Sequence, residues 1–84
     1  MPALVSRAVL DALVDPRFQA ELPAPLRKQI NSKVTAAGKG DYGTLTLGSS
    51  AKAVREAAKR LRAKPRVPAK LAKVLPELER LPGY

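Results

Sequence analysis

The hydrophobic positions of the chain fall into short periodic segments, each closed by proline or glycine. In Ala3–Val14, Leu4, Val5, Val9, Leu10, Leu13 and Val14 lie nearly all round a helical wheel, the pattern of a helix buried in a core. Pro2 stands where a first-turn proline is tolerated. Asp15–Pro16 ends the segment, because the residue before a proline is pushed out of the helical region. Arg17–Leu22 has room for one helical turn before Pro23. From Pro25 to Ala37, Leu26, Ile30 and Val34 recur every fourth residue as one narrow stripe. Pro25 suits the first helical position there, and Gly38 suits the position just past the end.

Gly38–Gly43, GKGDYG, reads as a loop. Thr44–Leu47, TLTL, alternates and predicts one short strand, with no second convincing strand to pair with it. The strongest helix is Ala51–Ala63, with Ser49 or Ser50 as its N-cap. At 100° per residue, Val54, Ala57, Ala58 and Leu61 share an arc of about 100°. Lys52, Arg55, Lys59 and Arg62 share a separate arc of about 80°. The two prolines of Lys64–Pro68 predict an extended connector. A short last helix fits Ala69–Leu75, with Leu71, Val74, Leu75 and Leu78 apolar and Pro76 kinking it or starting a new turn. Leu81–Tyr84 is a tail.

These elements predict an all-α domain of three to five helices, with at most one short strand at 44–47. The helices at 3–14, 25–37 and 51–63 would form its core. Residues 1–63 would be the core domain, and 64–84 a proline-interrupted basic segment packed on it or extended. With 84 residues there is room for one small domain. Alanine, at 14 residues, is the commonest apolar type and buries little area. Modest stability, or support from a partner or a homodimer, is therefore expected.

The charge sharpens the picture. The net charge is +9, and 51–73 holds nine basic side chains against one acid. A charge excess held in one segment can act as a binding surface. The chain has no cysteine and no histidine, so disulfides, thiolate zinc sites and Ser–His or Cys–His nucleophiles are unavailable. The carboxylates Asp11 and Asp15, or Glu77 and Glu79, assemble no nucleophile, base and oxyanion site. GKGDYG lacks the spacing and the Lys-Ser/Thr end of a phosphate-binding loop. A non-enzymatic protein with no cofactor, no metal and no catalytic residue is expected. No run of about 18 apolar residues occurs, and the apolar face of 51–63 is mostly alanine, so no membrane role is expected. A soluble cytoplasmic protein is the reading, nucleoid-associated if it binds DNA.

Phosphates attract lysine and arginine, and a helix fits the major groove of duplex DNA. Lys52, Arg55, Lys59 and Arg62 would supply affinity, with Arg60, Lys64, Arg66 and Lys70 extending the footprint. Residues 51–73 contain no aromatic, so duplex DNA is favoured over a single strand.

Leu47–Arg62, LGSSAKAVREAAKRLR, resembles the turn and recognition helix of bacterial helix-turn-helix regulators of the GntR winged-helix type. The likeness rests on Leu47, Gly48 and Ser50, then Val54, Arg55, Glu56, Ala57 and Leu61. It implies that Ser50, Lys52 and Arg55 face DNA. It spans about 16 of the 84 residues. GKGDYGTLTL stands where that family has a helix, and KPRVPAKL where it has a wing. The expected function is DNA binding, in transcription regulation or as a mobile-element accessory protein. The alternative is a phage-type inhibitor or adaptor whose basic face docks on an acidic protein surface.

Overall fold

The computed structural model describes residues 3–81, so Pro2 and the tail from Pro82 lie outside the described residues. The chain runs β1 (Ala3–Ser6), α1 (Arg7–Leu13), α2 (Pro16–Gln19), α3 (Ala24–Ala37), β2 (Tyr42–Leu45), a 3-10 turn (Gly48–Ser50), α4 (Ala51–Arg62) and α5 (Ala69–Leu78). It is mostly helical, but it is not all-α. The two strands pair antiparallel, with Ala3 opposite Leu45, Leu4 opposite Thr44, Val5 opposite Gly43 and Ser6 opposite Tyr42.

The missing partner of the TLTL strand is thus the N-terminal segment read as helix. Ser6 explains the break. Its backbone is extended, and its hydroxyl accepts the N–H of Val9 as the N-cap of α1. Helix can therefore start only at Arg7, which leaves Ala3–Ser6 as strand. Leu4, expected in the core, is 72% exposed on the outer face of this sheet, and Val14 is also exposed. β2 begins two residues earlier than expected, at Tyr42.

Arg7 ties this corner together. Its N–H donates to the Asp41 carbonyl at 2.7 Å, and its Nη1 donates to the carbonyls of Gly38 and Gly40. The GKGDYG loop therefore turns carbonyl oxygens toward a cation, the opposite of a phosphate cradle. Gly38 adopts φ +92°, which closes α3 as expected of a glycine there. Gly43 is required for another reason: a Cβ on it would meet the Ala37 carbonyl oxygen at 2.8 Å and the Leu10 side chain at 3.1 Å. The sheet lies that close on α1 and α3.

Phe18, Leu10, Leu13, Ile30, Leu75, Leu78, Val9 and Val54 are the largest fully buried side chains. They come from α1, α2, α3, α4 and α5, so one core gathers all five helices. Removing a side chain such as Phe18 from it costs about 3–5 kcal/mol, a large share of a small domain's stability. α5 buries Leu71, Val74, Leu75 and Leu78 against α1 and α4. It runs through Pro76 to Leu78 rather than stopping before it. Pro76 and Ala72 both lie on the exposed side, so the carbonyl deprived of its N–H partner faces away from the core.

Candidate nucleic-acid interface

The apolar side of α4 is as the spacing predicts: Ala51, Val54, Ala57, Ala58 and Leu61 are buried. The cationic side divides into a crest and two flanks. Toward α2, the Nη2 of Arg60 donates to the Glu21 backbone carbonyl at 2.7 Å, and its Nε reaches the Glu21 carboxylate at 3.4 Å. The Nζ of Lys64 donates to the other carboxylate oxygen. The Lys64 hydrogen bond, reinforced by the charges of Lys64 and Arg60, holds the Glu21 carboxyl below the ordinary glutamate range.

Toward α5, the Nη1 of Arg55 donates to the Leu81 carbonyl at 2.7 Å. The Nη1 of Arg62 lies 3.2 Å from the Glu79 carboxylate, which is largely enclosed. Four of the cations assigned to DNA are therefore held to neighbouring elements. Arg60, Arg62 and Lys64 keep about half or more of their side chains exposed, so any phosphate they met would compete with a carboxylate. Arg55 is partly buried and committed to the chain's own backbone.

Ser50 requires a correction. It is 3% exposed, and its hydroxyl donates to the Leu47 carbonyl at 2.6 Å. It neither caps α4 through its side chain nor faces solvent, because the 3-10 turn before α4 rotates it inward. β2, rather than a helix, precedes this turn, and the connector 63–68 and α5 follow α4 in place of a hairpin.

Lys52, Lys59, Arg66 and Lys70 remain exposed and, among the described residues, without an ion-pair or hydrogen-bond partner. Lys52 and Lys59 stand on the crest of α4, with exposed Glu56 between them. Arg66 and Lys70 lie on the connector and the first turn of α5. The fold adds a cation from another element to this end of the molecule. Arg17, on α2, lines the same hollow of about 380 Å³ as Lys64 and Arg66, floored by Leu61 and Val67. Lys73 lies one turn beyond Lys70, and the two line a second hollow against Asp11 and Asp15 of the α1 end. Arg17 carries no sequence signal for this role, since it lies far from 51–73 and reaches the connector only because α2 packs beside α4.

Among the described residues, no group of three or more carboxylates could hold a metal ion. No helix there is long and apolar enough to cross a membrane. No protein-family model, curated protein or solved structure matches the chain.

Proposed function

We propose that this protein binds duplex DNA through the connector end of the α4–α5 pair, by contacts to backbone phosphates. One observation carries the reading. Residues 59–73 hold seven basic side chains and no acid, and Lys59, Arg66, Lys70 and Lys73 among them are exposed and, among the described residues, without an ion-pair partner. A surface already neutralised by its own carboxylates has little to offer phosphate, whereas none of these four cations makes an ion pair among the described residues, Lys70 and Lys73 only sharing a hollow with Asp11 and Asp15. Lys52 and Arg17 extend the footprint along α4 and onto α2. Base-specific readout is not part of the proposal, since Ser50 and Arg55 are engaged internally. Phosphate contacts position a protein on DNA without reading sequence. A cellular role in transcription control or in accessory work for a mobile element would rest on that affinity.

A titration of a short duplex at several salt concentrations tests this. Each phosphate contact contributes about −0.9 to the slope of log affinity against log salt, so four contacts give about −3.6. No binding at low salt overturns the proposal. The hollow between Arg17 and Arg66, whose one acid, Glu21, is already paired with Arg60 and Lys64, supports the second reading, an acidic protein segment seated on its apolar floor. That reading predicts one stoichiometric protein captured from nuclease-treated lysate, and no salt-steep DNA binding.

A further inference from the structure

The opposite character appears on another side of the molecule. A groove of about 390 Å³ runs between β1 and the end of α5, lined by Leu4, Val5, Val9, Tyr42 and Leu81 with one acid, Glu77, and one base, Arg80. Leu4 is 72% exposed and Tyr42 66%, two of the three large exposed hydrophobic side chains among the described residues. β1 pairs with β2 along one edge, and no other described strand covers its second edge. Arg7 bonds Asp41, and bonded pairs alternate along an antiparallel ladder. Leu4 therefore turns its N–H and carbonyl away from β2, as an open template for another strand.

We propose that this groove is where two copies of the chain meet, with their β1 edges paired antiparallel about a two-fold axis. The charges select a second copy. A body of net charge +9 repels its own kind over most of its surface, and the groove is a place where the lining charges cancel. Neither Glu77 nor Arg80 has an ion-pair partner among the described residues. A two-fold interface is self-complementary, so each Arg80 would meet the other copy's Glu77, giving two reciprocal pairs. Leu4 and Tyr42 then lose their exposed area to the same surfaces on the partner. A strongly acidic or basic partner would find only half of this charge pattern matched.

The test is sedimentation equilibrium of nucleic-acid-free protein over a range of concentrations, with circular dichroism confirming the fold of each variant. The native chain is expected to dimerise. Glu77→Arg and Arg80→Glu, both at exposed positions, should each weaken the dimer about tenfold or more. The double swap E77R/R80E should restore it, because reciprocal pairs re-form with the signs exchanged. Leu4→Lys should abolish it while leaving the helical spectrum intact. A native chain that stays monomeric throughout overturns the proposal. So does a dimer indifferent to both single reversals, or one not restored by the double swap. DNA binding plays no part in this measurement, so its outcome is independent of the phosphate reading.

Discussion

The guanidinium of Arg55 donates to the backbone carbonyl of Leu81 over 2.7 Å, joining residues 26 positions apart. This bond holds the chain just past α5 against the middle of α4. A partly buried carbonyl loses its partner when the arginine is shortened, and a hydrogen bond from a charged donor is stronger than a neutral one. Arg55→Ala should therefore cost about 1–2 kcal/mol. Thermal melting would show this as a drop of several degrees. If Arg55 instead served phosphate, the variant would melt as the native chain does and lose DNA affinity.

Glu21 gives the fold an acid-sensitive joint. Its carboxyl is held below its ordinary value of 4.5, first by the Lys64 hydrogen bond and then by the charges of Lys64 and Arg60. A depressed carboxylate contributes stability that is fully present above the unfolded value and is lost as pH falls through the folded one. Glu21→Gln should lower the melting temperature at pH 7. The gap to the native protein should close as pH drops below about 4.5. Melting curves for the two proteins that stay equally separated from pH 7 to pH 3 would show that α2 and α4 are not joined this way.

Part of this architecture is legible in the chain and part is not, for reasons that particular residues show. The apolar spacing of Val54, Ala57, Ala58 and Leu61 is local, so it locates the buried side of α4 correctly. Ala3–Ser6 fails the same treatment because Leu4 and Val5 fit either a helix or a strand over so short a run. What decides it is the Ser6 cap and a strand 36 or more positions later, which is a long-range fact. The cationic arc of α4 is likewise read correctly as an arc. Its use depends on Glu21, Glu79 and the Leu81 carbonyl, which reach α4 only when α2 and α5 pack beside it. Ser50 misleads because a serine before a helix is the usual cap, and here the tight 3-10 turn aims it at Leu47 instead.

Pro76 sits inside α5, on its exposed side. A proline there removes the hydrogen bond to the Ala72 carbonyl and crowds it. Alanine restores the donor and removes no buried contact. Set against this, proline restricts the unfolded chain, which offsets part of the gain. Pro76→Ala should raise stability by about 1 kcal/mol or more, visible as a higher denaturant midpoint with an unchanged slope. An unchanged or lower midpoint would mean that α5 depends on the bend that proline imposes.

The sharpest comparison sets free cations against clamped ones. In one variant Lys59, Arg66 and Lys70 become alanine; in another Arg55, Arg60 and Arg62 do. Both lose three positive charges, so a purely diffuse electrostatic attraction would weaken equally in each. If individual side chains meet phosphates, the first variant should reduce the magnitude of the salt slope by about 2.7 and melt nearly as the native chain does. The second should melt at a distinctly lower temperature, since it breaks the ties from α4 to Glu21, Glu79 and Leu81. Below its melting point it should keep most of the slope. Equal losses of slope in the two variants would show that net charge alone governs binding and that the connector end has no special part in it.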